Sequence, residues 1–224
     1  MLYVIPTPIW NLDDITFRGY NLLKNLEYFL SEDTRTTKQL FKHYEINYSN
    51  KKFYSITSFT PEKKLEFYKD LLTNFDVWLI SEAGTPGLSD PGKSIIKIAN
   101  ENNLEYEILP GTNALIPAVV SSWFDTSSFI FLWFLPTKKW RQKKIKFICQ
   151  SEVPVFVYES VHRIQKLIEE IKKEWFNWKI SISREISKKF EQKITWSIEQ
   201  IENMIKNKQV ILKGEFVVWF YNIN

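Results

Sequence analysis

Ser81-Glu82-Ala83-Gly84-Thr85-Pro86-Gly87-Leu88-Ser89-Asp90-Pro91-Gly92 is the stretch whose reading decides how this chain folds. An apolar run, Val77 to Ile80, precedes it and reads as a buried strand. A segment of helical period, Lys93 to Asn103, follows it, with Ile95, Ile96, Ile98 and Ala99 on one side. The stretch is therefore a strand-to-helix loop. It holds three of the chain's six glycines and two of its nine prolines. Glycine permits positive φ and close backbone approach, while proline fixes φ. Such a loop is shaped and can present backbone groups to a ligand. An ordinary βα turn takes only ~2–6 residues. This one is longer, and ligands of open α/β sheets bind outside the carboxyl ends of the strands. It reads as a ligand loop.

Working outward, strands and helices alternate. Leu2 to Ile5 is a first strand, and residues 7–14 are a loop with Asp13 and Asp14 placed to cap a helix over 15–25. A strand over 28–30 carries Ser31-Glu32-Asp33-Thr34-Arg35 at its carboxyl end, before a helix over 36–44. A strand over 53–56 precedes Thr60-Pro61-Glu62, where Thr60 reads as a helix cap and Pro61 as the first helical position. Leu65, Tyr68, Leu71 and Leu72 then recur at helical spacing, and Tyr106 to Leu109 is a fifth strand. This alternation argues an α/β fold with a parallel sheet. Pro110-Gly111-Thr112-Asn113 breaks it, which sets a domain boundary: an N-terminal α/β domain over 1–112 and a C-terminal one over 113–224. The second half reads as helices over 114–122, 139–150, 161–173 and 198–206, and strands over 129–132, 154–158, 179–183 and 215–220.

Composition narrows the class. The length of 224 residues suits one large domain or two small ones, each with a real core. No run of 18 apolar residues exists, so no membrane span is expected, and Met1 to Pro6 reads as a strand, not a leader. The single cysteine, Cys149, reads as a small apolar helix residue and fits a reducing, cytoplasmic setting. One cysteine and two histidines make no usual zinc site, and no metal motif is present. The net charge of +4 permits nucleic-acid binding without demanding it. Six cations crowd Lys138 to Lys146, either a solvated helix face or a contact to phosphate backbone. Arginine is rare, confined to Arg18, Arg35, Arg141, Arg163 and Arg184, and its planar fork grips phosphate and carboxylate.

Tryptophan is the oddity. The chain has nine Trp and only six Gly, when glycine usually makes up about 7% of a protein. Trp10 lies in a turn, Trp140 among lysines, and Trp175 and Trp178 flank Phe-Asn between a helix and a strand. Turns favour Gly, Asn and Pro over a large ring.

No G-x-G-x-x-G follows the first strand, no G-x-x-x-x-G-K-[ST] occurs and no nucleophile elbow is present. What remains is a series of polar clusters at strand ends. They are Thr7-Pro8, Glu32 to Arg35, the long loop, Gly111-Thr112-Asn113, Glu159 to Arg163, Arg184-Glu185 and Lys213-Gly214-Glu215. Each alone suits a cap or a surface ion pair; their recurrence at carboxyl ends suits a shared cleft.

Eight ordered blocks carry a resemblance: residues 2–16, 31–35, 81–92, 109–111, 134–136, 158–163, 184–191 and 213–217. In that order they resemble the small-subunit ribosomal RNA methyltransferase I family of the tetrapyrrole methylase superfamily, over nearly the whole chain. The resemblance implies two α/β domains with the cofactor cleft between them, and a homodimer. It implies S-adenosylmethionine-dependent 2′-O-methylation of a cytidine in the decoding region of 16S rRNA. The alternatives are methylation of a tetrapyrrole carbon, against which blocks 31–35 and 158–163 argue, and a non-catalytic ribosome assembly factor.

By the same resemblance, cofactor contacts fall on Pro8, Trp10, Gly84, Thr85, Pro86, Leu88, Thr112 and Asn113, and on Tyr158, Arg184, Gly214 and Glu215. Removal of the ribose proton falls to Glu32, Asp33, Asp90 or Glu159, with Arg35 or His162 orienting one of them. Structural pairing of Asp33 with Arg35 is the other reading of that cluster. The family carries glycine where this chain has Trp10, Trp133 and Trp140, and Trp123, Trp178 and Trp196 fall at usual glycine positions. Trp78 reads as a glycine or alanine position. The chain departs from the family at Ser55 to Thr60, at Thr112-Asn113, and in ending just past Lys213 to Val217.

Overall fold

Parallel strands covered on both faces need nearly continuous apolar sequence, and the first half of the chain supplies it. The computed structural model describes residues 1–57, 59–88, 90–174 and 178–222, apart from the side chains of Trp178 and Asn222. Two compact units result, Met1–Asn113 and Ala114–Asn224.

In the first unit the order is β1 (Leu2–Val4), α1 (Phe17–Asn25), β2 (Tyr28–Ser31), α2 (Thr34–His43), β3 (Lys52–Ser55), α3 (Glu62–Asn74), β4 (Val77–Leu79), α4 (Gly92–Glu101) and β5 (Tyr106–Ile108). The strands lie in the order β3-β2-β4-β1-β5, and every pair is parallel. Alternate side chains feed two cores. Leu2, Val4, Leu30, Val77 and Leu79 pack with Tyr68, Leu71 and Leu72 of α3 and Ile95 and Ala99 of α4. Phe29, Trp78, Ile5 and Ile80 pack with Leu23 of α1 and Leu40 and Phe41 of α2. The sheet is thus sandwiched between helices, and all five carboxyl ends share one edge.

Two caps differ from expectation. Asp13 and Asp14 lie in a single 3-10 turn, and the cap of α1 is Thr16, whose Oγ1 accepts from Gly19 N at 3.0 Å. Pro61, not Thr60, takes the cap position of α3, because the Thr60 hydroxyl is spent on Thr57, accepting from its N–H at 2.9 Å and donating to its carbonyl at 2.7 Å.

The second unit runs α5 (Leu115–Ser121), β6 (Ile130–Phe134), α6 (Arg141–Cys149), β7 (Val155–Ser160), α7 (Ile164–Glu174), β8 (Trp178–Arg184), β9 (Gln192–Ser197), α8 (Ile198–Lys206) and β10 (Glu215–Asn222). Its sheet order is β6-β7-β10-β8-β9. Only β6 and β7 pair in parallel; the other three pairs are antiparallel, so the expected all-parallel sheet holds for the first unit alone. β9 is a strand the sequence did not announce. It sits at the sheet edge with one buried side chain, Ile194, too little apolar alternation to read. A capping box between Ser197 and Gln200 starts α8 directly after it. Helices α6, α7 and α8 cover one face of this sheet through Ile145, Ile148, Leu167, Ile168, Ile171 and Ile201. Cys149 is buried on α6, and burial pushes its thiol up to about 11. Among the described residues no helix is long and apolar enough to cross a membrane.

Candidate active site

Three loops at the carboxyl edge of the first sheet are stitched together. They follow β1, β4 and β5, which are neighbours in the order β4-β1-β5. Thr7 and Gly84 exchange backbone hydrogen bonds of 3.0 and 2.9 Å. The Thr7 hydroxyl donates to Ser81 O at 3.2 Å, and the Thr85 hydroxyl to Thr112 O at 3.1 Å. The Thr112 hydroxyl closes the circuit by donating to Thr7 O. Gly84 has φ of 82°, and a Cβ there would stand 3.4 Å from Ile9 and 3.5 Å from the Thr112 carbonyl. The sequence-predicted residues Thr7, Pro8, Gly84, Thr85, Pro86, Thr112 and Asn113 therefore lie in one place. Thr7, Pro8, Gly84 and Pro86 are buried. Trp10 and Leu88 point outward, 63% and 43% exposed.

Beside this circuit lies a groove of about 590 Å³ over the ends of β2, β3 and β4. Glu32, Asp33, Arg35, Phe59, Glu82 and Pro91 help to line it. Three carboxylates meet here with different fates. Asp33 caps α2 through Arg35 N at 2.7 Å and also binds the Arg35 guanidinium, with Nη2 at 2.7 Å. Those bonds hold its carboxyl down at about 2. Asp90 accepts from Gly87 N at 2.8 and 2.9 Å and from Gly92 N at 2.8 Å, so it staples the loop. Burial raises its pKa even so. Glu32 is half-buried and has no hydrogen bond or ion pair among the described residues. Burial raises its pKa first, and the nearby Asp90 and Glu82 raise it further. Glu82 and Phe59 went unmarked by sequence reasoning. Glu82 sat inside the quoted loop but had no strand-end pattern of its own.

The second-unit residues are placed as follows. Tyr158, on β7, has its ring 4.9 Å from Phe131 and 4.8 Å from Trp133, and burial pushes its hydroxyl up to about 12. Glu159 sits in an ion-pair cluster. Its side chain is fully buried, with Arg163 Nε at 2.7 Å, Ser160 N at 2.8 Å and Arg141 Nη1 at 3.8 Å. His162 is exposed on the turn after β7, while Arg163 takes the place beside Glu159. Arg184 is buried and donates to the carbonyls of Lys213 and Phe190. Gly214 has φ of 88°, and a Cβ there would collide with Glu185 Oε1 at 2.1 Å. Glu185 Oε1 accepts from Glu215 N at 3.0 Å and pairs with Lys188 at 2.9 Å, so Gly214 and Glu215 belong to a polar knot. Sequence reasoning missed Glu170, whose partner Arg141 lies 2.7 Å away, because nothing in a helix-period segment marks one carboxylate as the partner of a buried arginine.

The family profile for Tetrapyrrole (Corrin/Porphyrin) Methylases matches residues 1–202. The chain belongs to the tetrapyrrole methylase family. As a tetrapyrrole methylase it is an enzyme of methyl transfer. It is 37% identical over 221 residues to the ribosomal RNA small subunit methyltransferase I of Hydrogenobaculum sp. (strain Y04AAS1), covering 97% of this chain and 94% of that protein. It is 34% identical to the protein of the same name from Mycoplasmopsis pulmonis (strain UAB CTIP), covering 98% and 97%. Solved structures share the fold. A diphthine synthase superposes with a TM-score of 0.72 at 11% identity, over 99% of this chain and 89% of that one. The Thermus thermophilus uroporphyrin-III C-methyl transferase in complex with S-adenosyl homocysteine superposes with a TM-score of 0.59 at 13% identity, over 98% and 96%.

Proposed function

We propose that this tetrapyrrole methylase transfers a methyl group from S-adenosylmethionine to the 2′-hydroxyl of a cytidine ribose in the decoding region of 16S rRNA. The reading rests on the relatives named ribosomal RNA small subunit methyltransferase I, which span nearly the full chain. We further propose that the assembled small subunit is the substrate, that the enzyme is a cytoplasmic homodimer, and that no metal takes part. The donor set suits the cofactor. Gly84 keeps side chains out of the junction of three loops, and hydroxyl and backbone groups line it. Glu32 and Glu82 add negative charge without a cationic partner among the described residues, which favours a ligand bearing a sulfonium and an ammonium. Among the described residues no cluster of metal-ligating side chains occurs. When bound, the cofactor supplies a methyl group already activated by its positive sulfur.

The protein's share is alignment and one proton. A ribose hydroxyl is a weak acid, so a carboxylate that takes its proton lowers the barrier. Of the four carboxylates the sequence nominated, Asp33, Asp90 and Glu159 are committed to Arg35, to loop amides and to buried arginines. Glu32 is the uncommitted one, and its raised pKa makes it the stronger base once ionised. Lys138, Lys139, Lys143, Lys144 and Lys146 are exposed, and none has an ion pair among the described residues, whereas Arg141 of the same run is buried. These lysines suit the phosphates of a structured RNA.

The test is transfer of labelled methyl from S-adenosylmethionine to small subunits lacking the modification, followed by mapping of the labelled nucleotide. Incorporation at a ribose of the decoding region is the expected result. A protein that binds S-adenosylmethionine but labels no small-subunit RNA would sink the substrate assignment. Charge reversal of Lys143 and Lys144 should raise KM for small subunits and flatten its salt dependence, with kcat and cofactor affinity unchanged.

A further inference from the structure

Among the described residues three tryptophans stand where the backbone is left-handed. Trp123, Trp133 and Trp140 have φ of 68°, 55° and 71°. Gly84, Gly87 and Gly214 occupy the same region at 82°, 89° and 88°. Among the described residues the other non-glycine positions at positive φ are Glu45, Asn103, Glu185, Ser187 and Lys208, all of them polar. A side chain in this region crowds its own carbonyl, and a bulky ring gains nothing there to compensate. The local settings are those that call for glycine. Trp123 follows α5 and is 92% exposed. Trp140 is the cap of α6, makes no side-chain capping bond and is 58% exposed. Trp133 lies within β6 where the register with β7 shifts between Phe131 and Phe134, and bulges with positive φ favour glycine.

The rings of Trp78 and Trp219 pack against Phe29 and Phe156. Trp78 and Trp219 are fully buried, yet the indole N–H of each has no hydrogen-bond acceptor among the described residues. Buried indoles usually find one. Trp196 is 49% exposed on edge strand β9. The chain's nine Trp and six Gly together equal the glycine share of an average protein, about 7%.

We propose that Trp123, Trp133 and Trp140 are glycine in the protein that its own cells make, each encoded by UGA and decoded there as glycine. The same reading extends to any of the other six tryptophans that UGA spells. The competing explanation is a set of exposed rings kept for stacking on RNA bases. It does not account for Trp133, which is half-buried and packed on Tyr158 and Phe131. Nor does it account for three rings each placed on a left-handed backbone.

Peptide mass spectrometry of the protein isolated from its source cells, read beside the gene, decides the matter. Glycine at all three positions with UGA codons is expected. A tryptophan residue or a UGG codon at any of the three overturns the proposal. A second measurement uses the recombinant chain. The triple variant W123G/W133G/W140G should melt on the order of 10 °C higher than the tryptophan form. The alanine triple should recover much less, since alanine keeps the Cβ that the backbone rejects. Equal gains from glycine and alanine would show that removing exposed rings, not relieving the backbone, is the cause, and would overturn the structural premise.

Discussion

Arg163 ties Glu159 to the main chain of Leu135. Its Nε lies 2.7 Å from Glu159 Oε1, and its Nη1 donates to Leu135 O at 2.9 Å. Arg141 repeats the arrangement one residue on, donating to Pro136 O at 3.2 Å while it binds Glu170. One buried carboxylate thus lies between two guanidinium groups that hold the chain leaving β6. Glu159→Gln keeps the shape and removes the charge, which takes the carboxylate partner from Arg163 and leaves the buried Arg141 with Glu170 alone. A loss of about 3–5 kcal/mol is expected in urea unfolding. A loss below about 1 kcal/mol would show that the cluster does not support the fold.

With Glu32 as the proposed base, it and its neighbour Glu82 should set the acid limb of activity. The raised pKa of Glu32 places its ionisation above the ordinary value of 4.5, so kcat/KM should climb with pH through a midpoint above that value. Glu82→Gln removes one charge that raises the pKa, and the limb should move to lower pH. Glu32→Gln should abolish the limb and lower kcat by about 10²–10⁴-fold. The same shift has a stability consequence. The folded state binds this proton more tightly than the unfolded chain, so ionised Glu32 costs stability as pH rises through the window above 4.5. Glu32→Gln should therefore melt higher than the parent at neutral pH while being nearly inactive. A variant of full activity would remove Glu32 as the base.

Gly84→Ala tests the loop junction. The backbone there is left-handed, and the new methyl group would face Ile9 and the Thr112 carbonyl. A stability loss of about 1–2 kcal/mol is expected from the backbone alone. Calorimetry should show S-adenosylmethionine affinity reduced by about tenfold, which is about 1.4 kcal/mol. Unchanged affinity in a folded variant would place the cofactor elsewhere.

Asp33 carries the acid sensitivity of the start of α2. Its folded pKa of about 2 lies below the ordinary 3.8, because Arg35 binds the ionised form. The stabilisation is complete above 3.8 and is lost as pH falls from there to about 2. Melting temperature followed across this interval should fall less steeply in Asp33→Asn than in the parent. Identical slopes would show that the pair contributes nothing to folding.

The first unit was legible because its strands and helices obey simple periods. Val77 to Leu79 is apolar throughout and buried throughout, and α4 shows its stripe of isoleucines. The second unit was half legible. Its helices were readable, but strand–helix alternation says nothing of strand direction, and β9, with only Ile194 buried, left no pattern. In the site, the loops after β1, β4 and β5 can be named from their motifs, but what each carboxylate binds cannot. Glu159-Ser160-Val161-His162-Arg163 looks like an exposed polar turn, and only the packing of Arg141 and Arg163 around it reveals a buried charge. The loop motif likewise does not show that Asp90 is held by the amides of Gly87 and Gly92.

The circuit of Thr7, Gly84 and Thr112 bears on fold specificity as well as on ligand binding. A strand with one wet face resists slipping by a residue, because slipping would turn its apolar side chains outward. β4 is buried on both faces, so alternation alone penalises a slip weakly. The three stitched loops hang on β1, β4 and β5, and their hydrogen bonds form only when all three strands end level. The polar edge acts as the vernier of the sheet. A neighbouring register would leave the buried Thr7 hydroxyl and the Gly84 amide without partners, and that penalty selects one alignment from several that the core would tolerate.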